Sequence, residues 1–196
     1  MDEHDLDDDP LAQLGAWLDD ARSADPRPHA MTLATADTDG RPSARVVLLQ
    51  SIDARGVVFF TNRTSRKGRE LARNPYASAV LHWWELGRQV RIEGAAEETT
   101  DEESTAYWIT RPRGSRIAAW ASAQSRPLTG RAELDASVAE AETRFAGGEV
   151  PLPPFWGGYR LVPDRMEFWA HRDDRLHDRV LYLREESRWR RERLAP

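Results

Sequence analysis

Residues 30–62, AMTLATADTDGRPSARVVLLQSIDARGVVFFTN, alternate between strand-forming runs and turns. Three runs rich in β-branched and apolar residues, at 30–36, 43–52 and 56–62, are separated by DTDG and DARG, two turn sequences that end in glycine. Short runs of this composition with glycine turns between them are typical of antiparallel strands joined by hairpins. The region therefore predicts an antiparallel meander.

Further strand-forming runs lie on both sides of a helical middle. Two strands are expected before it, at 76–85 and 88–98, and four after it, at 159–163, 165–171, 179–185 and 188–194. The predicted helices are 9–24, 65–74, 100–112, 112–122 and 134–148. Asp9 is the expected N-cap of the first helix, and Thr100 and Glu103 have the spacing of a capping box at the start of the third. No internal repeat and no long linker interrupts the pattern. The sequence predicts one mainly β domain over residues 10–196, an antiparallel barrel with helices inserted between its fifth and sixth strands.

Charge is distributed unevenly along the chain. The formal net charge is −5, and the first nine residues, MDEHDLDDD, carry six acids and no Lys or Arg, so the remainder has −5 + 6 = +1. Such a segment is typical of a solvated leader, and we expect residues 1–9 to be disordered. The near-neutral remainder lacks the basic stripe of a nucleic-acid-binding protein, so we expect no nucleic-acid partner.

The composition and the motifs that are missing from the sequence exclude several cellular locations and several kinds of catalytic site. No apolar run approaches the length of a membrane span, and no secretory signal is visible, so we expect no membrane partner. Cysteine is absent, which excludes disulfides and thiolate metal sites and favours a cytoplasmic location. The five histidines show no metal-binding spacing, so we expect no metal. No nucleophile elbow, dinucleotide fingerprint or Walker loop is present.

Two short segments could hold phosphate groups. TNRTSRKG, residues 61–68, places Arg66 and Lys67 where a strand meets a helix, and free backbone N–H groups at a helix start favour anions. YWITRPRGS, residues 107–115, places Tyr107, Arg111 and Ser115 at intervals of four residues. Each pattern also fits an ordinary charged surface, and from the residues alone both alternatives stay open.

A third segment, DDRLHDRVLYL at 173–183, combines two arginines with a titratable imidazole. Read as an extended chain, it places Arg175, His177 and Arg179 on one side. The segment is either a charged edge or the wall of a pocket for an anionic ligand.

Several motifs together resemble the pyridoxamine/pyridoxine 5′-phosphate oxidase family. They are RVVLLQ, VVFFTNRTSRKGREL, RQVRIEG, YWITRPRGSRIAAWAS followed by QS, VPLPPFWGGYR, EFWAHRDDRLHDR and the ending RLAP. They occur in the family's order, from about Pro10 to the end of the chain. The resemblance implies an FMN-binding split β-barrel and a homodimer with FMN at the interface. It also implies oxidation of a phosphorylated B6 vitamer to pyridoxal 5′-phosphate with O2, giving H2O2, and ammonia from the amine substrate.

The resemblance also implies roles for individual residues. The FMN contacts would be Arg45, Val46, Val47, Leu48, Phe60, Thr61, Arg66, Lys67, Gln89, Gln124, Ser125, Trp169 and Arg179. The substrate would meet Gln50, Tyr107, Arg111, Ser115, Arg175 and His177, of which Arg175 and His177 would be catalytic and face the pyridine ring. Leu176 and Val180 would then be left for packing.

This sequence departs from the family pattern in three places. Gln50 stands where the family usually has lysine, and Ala170 and His171 stand where glutamine and glycine are common. An N-terminal segment with an Arg and a Tyr that closes over the substrate is not seen before the first helix. A related branch, the flavin oxidases of phenazine biosynthesis, also lacks the lysine and acts on aromatic compounds without phosphate. An oxidase of that kind, acting on a dihydrophenazine, is the alternative function, and a non-catalytic flavin or B6 carrier is a third.

Overall fold

The sheet is organised around one long strand, β7, which spans Trp156–Ala170. The computed structural model describes residue 1, residues 3–186 and residues 188–196. The other strands are β1 (Ala30–Ala36), β2 (Pro42–Leu48), β3 (Ser51–Asp53), β4 (Gly56–Asn62), β5 (Tyr76–Trp83), β6 (Arg88–Glu98), β8 (Asp178–Glu185) and β9 (Arg188–Arg193). The helices are α1 (Pro10–Ala21), α2 (Arg66–Leu71), α3 (Asp101–Thr110), α4 (Arg113–Ala121) and α5 (Arg131–Arg144).

All strand pairs are antiparallel, in the order β2-β1-β5-β6-β7-β4-β3, with β8 beside β7 and β9 beside β8. The first half of β7 pairs with β4 and its second half with β8, so the sheet divides along this strand. A register shift at Glu93/Gly94 bends the β6–β7 pair at the same level. A Cβ at Gly94 would lie 2.0 Å from the Val162 carbonyl oxygen, so this close approach requires glycine. The predicted antiparallel split β-barrel, mainly β with inserted helices, is confirmed.

Helix α1 closes the main core. Asp9 caps its first turn by accepting a hydrogen bond from the Leu11 amide at 2.9 Å, as the sequence predicts. Leu14 is fully buried, and Trp17 meets Phe168 of β7 edge to face with ring centroids 5.1 Å apart. The apolar stripe of α1 therefore lies against the sheet.

The helices α3, α4 and α5 lie between β6 and β7 in the chain, the place predicted for them. The predicted capping box at Thr100 and Glu103 begins α3. These helices share a second, smaller core around Trp108, Ile117 and Trp156. This core brings α3 and α4 next to β4, where the functional cleft forms.

Two strand predictions need correction. The run 43–52 was expected to be one strand, but it divides into β2 and β3 around Leu49 and Gln50, because Gln50 donates its backbone N–H to Val58 of β4. The runs 159–163 and 165–171 were expected to be separate strands, but they are both part of β7. Pro163 does not end the strand, since the register of the β6–β7 pair shifts beside it.

The residues before α1 contact the last two strands. Leu6 is buried in the main core, the Tyr182 hydroxyl donates to the Asp7 carbonyl at 2.7 Å, and Arg191 pairs with Asp8. Asp2, which belongs to the predicted leader, lies outside the described residues. Disorder of residues 1–9 in solution stays a prediction. None of the helices formed by the described residues is long and apolar enough to cross a membrane.

Candidate functional site

A cleft of about 490 Å³ opens between β2, β4, the start of α2 and the pair α3–α4. It brings together eleven of the predicted site residues, which are Val46, Val47, Leu48, Gln50, Phe60, Thr61, Lys67, Tyr107, Arg111, Ser115 and Gln124. Asn62, Ala118, Ala119, Ser122 and Trp156 complete its lining. Residues 46 to 124 thus converge on one concavity, although they are far apart in the sequence.

Lys67, the only lysine in the chain, lies at one end of this cleft. Its Nζ donates to three neutral oxygens: Gln124 Oε1 at 2.8 Å, Thr61 Oγ1 at 3.0 Å and Ser65 Oγ at 3.4 Å. Burial, and to a lesser degree the charge of Arg45, lower the pKa of Lys67 from 10.5 to about 8. Within the described part of the chain no carboxylate balances this ammonium, so the site is suited to an incoming anion.

A second cation, Arg111, lies in the same cleft. Its guanidinium packs over Trp156 at 4.7 Å and Trp108 at 5.3 Å, and its Nη2 donates to the Ser115 carbonyl at 3.2 Å. Its Nη1 is buried and has no hydrogen-bond partner among the described residues. Burial lowers the pKa of Arg111, with a smaller opposing effect from Tyr107. An unpaired buried donor of this kind is costly unless a ligand accepts from it.

Aromatic and aliphatic side chains form the remaining walls. The rings of Phe60 and Tyr107 stack with centroids 4.3 Å apart, and Phe60 also stacks on Trp156 at 5.4 Å. On the opposite wall, Val46 and Leu48 of the edge strand β2 are 65% and 51% exposed. The cleft therefore combines flat apolar surfaces with two cations that pair with no carboxylate of the described residues, as a phosphorylated aromatic ligand requires.

Arg45 and Arg66 are not part of the cleft lining. Both contact Glu70 of α2, Arg66 through Nε at 2.8 Å and Arg45 through Nη2 at 3.4 Å. Burial opposes ionisation of Glu70, but hydrogen bonds from Thr35, Ser43 and Arg66 outweigh it and lower its pKa to about 2. This carboxylate keeps both arginines beside the cleft, and their contact with a cofactor stays a prediction.

Three other predicted residues, Gln89, Trp169 and Arg179, form a second cluster on β6, β7 and β8. Gln89 is opposite Trp169, which is in turn opposite Arg179. Arg179 donates to both carboxylate oxygens of the buried Glu167, at 2.7 and 3.1 Å, and these bonds together with the charge of Glu167 raise the pKa of Arg179. The His177 ring lies 4.6 Å from the Trp169 ring.

The segment 173–183 differs from its predicted conformation. Strand β8 begins only at Asp178, and the preceding residues form a turn in which Arg175 has a φ of +64°. The turn forms because Arg175 N–H donates to the Arg172 carbonyl and Leu176 N–H donates to Asp174 Oδ1. The alternation predicted for Arg175, His177 and Arg179 is therefore wrong.

Packing in this segment agrees with the prediction only in part. Val180 is fully buried as expected, but Leu176 is 63% exposed and does not pack into the core of the chain. Arg175 is also exposed. Outside this segment, the predicted cofactor contact Ser125 has a φ of +69° and is not part of the cleft lining. In a single chain, Arg175 and Leu176 of residues 175–177, the RLH segment, are thus exposed to solvent, and His177 is half-buried.

The acidic residues that form ion pairs with arginines near the site were not predicted from the sequence. Glu167, Glu70 and Asp178 are each buried, and Asp178 pairs with Arg172 and Arg193. The sequence offers one signal, since each of these acids lies in or beside a quoted motif that is rich in arginine. No group of three or more His, Cys, Asp or Glu side chains in the described regions is placed to bind a metal ion.

Comparison with known proteins gives consistent results. Residues 18–145 match the family described as pyridoxamine 5′-phosphate oxidase, and residues 156–196 match the pyridoxine 5′-phosphate oxidase C-terminal dimerisation region. The chain is 56% identical to a pyridoxine/pyridoxamine 5′-phosphate oxidase of Rubrobacter xylanophilus, over 97% of this chain and 88% of that one. It is 55% identical to the enzyme of the same name from Burkholderia thailandensis, over 100% and 93%.

Solved structures show the same architecture. PhzG from Burkholderia lata, solved with tetrahydrophenazine-1-carboxylic acid, superposes with a TM-score of 0.92 at 42% identity, covering 98% of this chain and 95% of that one. A pyridoxamine 5′-phosphate oxidase-related, FMN-binding protein from Nostoc punctiforme superposes with a TM-score of 0.76 at 17% identity, over 97% and 100%, and supports the fold. The C-terminal match supports a homodimer. With its two matched regions, its closely similar relatives and its cleft, the chain belongs to the pyridoxamine 5′-phosphate oxidase family.

Proposed function

We propose that this protein is an FMN-dependent oxidase that converts pyridoxine 5′-phosphate or pyridoxamine 5′-phosphate to pyridoxal 5′-phosphate. O2 is the electron acceptor and is reduced to H2O2, and the amine substrate also releases ammonia. The main support is that Lys67, which is buried, and Arg111, which is half-buried, share an aromatic-walled cleft and have no carboxylate partner among the described residues. Such a cleft suits two phosphate groups and the flat rings attached to them.

The residues present fit FMN, which carries one phosphate and a flat three-ring system. Lys67 and Thr61 would hold the phosphate, supported by Arg66 and Arg45 beside the cleft. The walls for the rest of the cofactor would come from Val46, Val47, Leu48, Phe60, Gln89, Gln124, Ser125, Trp169 and Arg179. Bound FMN supplies two-electron redox chemistry and reacts with O2.

The substrate phosphate is assigned to Arg111, Tyr107 and Ser115. Arg111 Nη1 offers the donor that lacks a partner, and the adjacent Tyr107 and Ser115 hydroxyls can donate as well. Gln50, in the same lining, contributes a neutral amide. These groups bind and orient the substrate through its charged end.

Arg175 and His177 are assigned to the substrate ring. His177 Nδ1 accepts a hydrogen bond from the Arg172 amide at 3.1 Å, so the proton of the neutral imidazole is on Nε2. The His177 ring therefore presents an N–H donor on its outer side. Arg175, exposed at the tip of its turn, provides a permanent charge that can stabilise electron density on a pyridine ring.

A homodimer explains why the predicted site is divided in one chain. Val46 and Leu48 on the edge strand β2, and Leu176 within the RLH segment, are large apolar side chains exposed to solvent. We place the cleft of one protomer against the Trp169–His177 cluster of its partner, with FMN between them. Each of the two sites then receives the residues that its own chain leaves at a distance.

Oxidation of a dihydrophenazine is the second candidate. The structural similarity to PhzG and the neutral Gln50 favour it. Against it stands Arg111, because an unphosphorylated substrate leaves its buried Nη1 unpaired. A carrier function is disfavoured, since a carrier has no use for the RLH segment. Cytoplasmic location and the absence of nucleic-acid and membrane partners stay predictions.

The discriminating experiment compares a phosphorylated vitamer with the same vitamer lacking the phosphate and with a dihydrophenazine. Purified protein loaded with FMN is supplied with pyridoxine 5′-phosphate, with pyridoxine, or with a dihydrophenazine carboxylate, and H2O2 is measured. We expect turnover with the phosphorylated vitamer and a KM for pyridoxine at least about tenfold higher, since one charge-assisted contact contributes about 1.5 kcal/mol or more. Turnover with the dihydrophenazine alone would reject the vitamer assignment.

A further inference from the structure

Lys67 is the only side chain of this protein that carries a primary amine. It lies in the cleft that also contains Arg111, the residue assigned to the substrate phosphate. We propose that Lys67 is a modification site, which forms an imine with a phosphorylated aromatic aldehyde when FMN is not bound. This inference rests on the proposed function, because the product of that reaction is an aldehyde of this class.

The surroundings of Lys67 favour a reactive amine. Its Nζ contacts hydroxyl and amide oxygens, and no carboxylate of residues 1, 3–186 or 188–196 forms an ion pair that would stabilise the charged form. With a pKa of about 8, roughly a tenth of the amine is unprotonated at pH 7. An ordinary lysine with a pKa near 10.5 has roughly 0.03% in that form. Lysines desolvated in this way are the usual nucleophiles toward carbonyl groups.

The other end of the aldehyde has a place in the same cleft. Arg111 presents a buried Nη1 that has no partner in the part of the chain that the structure describes, beside the Tyr107 ring that stacks on Phe60. A phosphate accepting from Arg111 would hold the aromatic ring against this wall. The cleft volume of about 490 Å³ is within the range of small-molecule sites. Binding at Arg111 raises the effective concentration of the aldehyde beside Lys67.

The reaction needs no further reactant. The unprotonated Nζ attacks the aldehyde carbon, a C–N bond forms and the carbonyl oxygen takes up a proton to give a carbinolamine. Loss of the hydroxyl group as water, with the second nitrogen proton, leaves the C=N bond. No electrons are gained or lost, and hydrolysis reverses the reaction.

Capture of the aldehyde would compete with loading of the cofactor. Lys67 is assigned to the FMN phosphate, and its Nζ cannot serve both ligands. High concentrations of product would therefore keep the FMN-free protein unloaded. In the FMN-bound protein, the cofactor phosphate would occupy Lys67 and so protect it from imine formation.

The experiment incubates FMN-free protein with pyridoxal 5′-phosphate at pH 7.5, reduces imines with cyanoborohydride, and locates the added mass by peptide mapping. We expect one pyridoxyl phosphate group per chain, on Lys67, and at least tenfold less on protein first saturated with FMN. Pyridoxal, which lacks the phosphate, should label at least fivefold more slowly. Lys67→Arg keeps the charge, removes the amine, and should take up no label in the cleft.

Three results of the labelling experiment would each contradict imine formation at Lys67. No label on Lys67, label confined to the α-amino group of Met1, or equal labelling with and without FMN would overturn the inference. Because peptide mapping on the wild-type protein decides the matter, the result does not depend on the folding of a variant. Oxidase activity with vitamers is measured separately, so a failure of labelling and a failure of the proposed function can be told apart.

Discussion

Replacing Lys67 with methionine should stabilise the FMN-free protein and weaken its binding of FMN. Burial lowers the pKa of Lys67 from 10.5 to about 8, so the folded protein binds this proton more weakly than the unfolded chain. The penalty is complete below about pH 8, declines as the pH rises toward 10.5, and is absent above it. Stability of the wild-type protein attributable to Lys67 therefore increases with pH across this interval, and Lys67→Met lacks that increase.

The size of the stability change follows from the pKa shift of Lys67 and from the hydrogen bonds that its Nζ makes. A change from 10.5 to about 8 corresponds to at most about 3 kcal/mol of destabilisation at pH 7. Methionine also loses the bonds to Thr61 and Gln124, which costs about 1 kcal/mol or slightly more. We expect a net gain of about 1 to 2 kcal/mol, or about 2 to 8 °C in Tm. Loss of a charge-assisted contact to the FMN phosphate should raise the Kd about 10- to 150-fold.

Two measurements on the same protein preparations check the predicted changes in stability and in FMN affinity. Urea unfolding of the FMN-free proteins at pH 7, 9 and 10.5 gives the stability difference, and quenching of flavin fluorescence gives the Kd. Arg69→Met, an exposed cation on the same helix, is the matched control and should change neither quantity in this direction. If Lys67→Met is no more stable than wild type at pH 7, or if the difference does not shrink by pH 10.5, the reasoning about a desolvated ammonium is refuted.

Three further changes test other parts of the site. Arg111→Met should raise the KM for phosphorylated vitamers about 10- to 150-fold in steady-state assays and leave that for pyridoxine unchanged; equal effects on both would contradict a phosphate contact. Gln50→Lys adds a cation to the cleft lining and should lower the same KM about fivefold, for about 1 kcal/mol; a rise would place Gln50 away from the phosphate. Leu48→Asp puts an unpaired carboxylate into the proposed interface and should raise the dimer Kd at least about 100-fold in sedimentation experiments; an intact dimer would place the interface elsewhere.

Local patterns in the sequence were sufficient to predict most of the helices and strands. Alternating apolar runs, glycine turns and the caps at Asp9 and Thr100 depend on neighbours within a few residues, and these predictions are confirmed. The division of the second run at Gln50 and the continuity of β7 through Pro163 depend on pairing with β4 and β6. Such pairings join residues that are far apart in the chain, so local periodicity does not contain them.

The site was predictable in its residue types and less so in its geometry. Each of the two phosphate-binding motifs was visible in the sequence, but only the folded chain brings Lys67 and Arg111 into one cleft. Their lack of carboxylate partners among the described residues is likewise a property of the folded chain. The turn at Arg175 was missed because a period of two was assumed where backbone and Asp174 hydrogen bonds bend the chain. Glu167, which holds Arg179 with two hydrogen bonds, was overlooked because a single acid in a strand gives no periodic signal.

The most direct test of the account is an anaerobic titration of the FMN-loaded protein with pyridoxine 5′-phosphate, followed through the absorbance of the flavin. We expect bleaching that is complete near one equivalent per site and appearance of pyridoxal 5′-phosphate in equal amount. When O2 is admitted, the flavin absorbance should recover and H2O2 should form. Flavin that stays oxidised with both phosphorylated vitamers, but is bleached by a dihydrophenazine carboxylate, would contradict it.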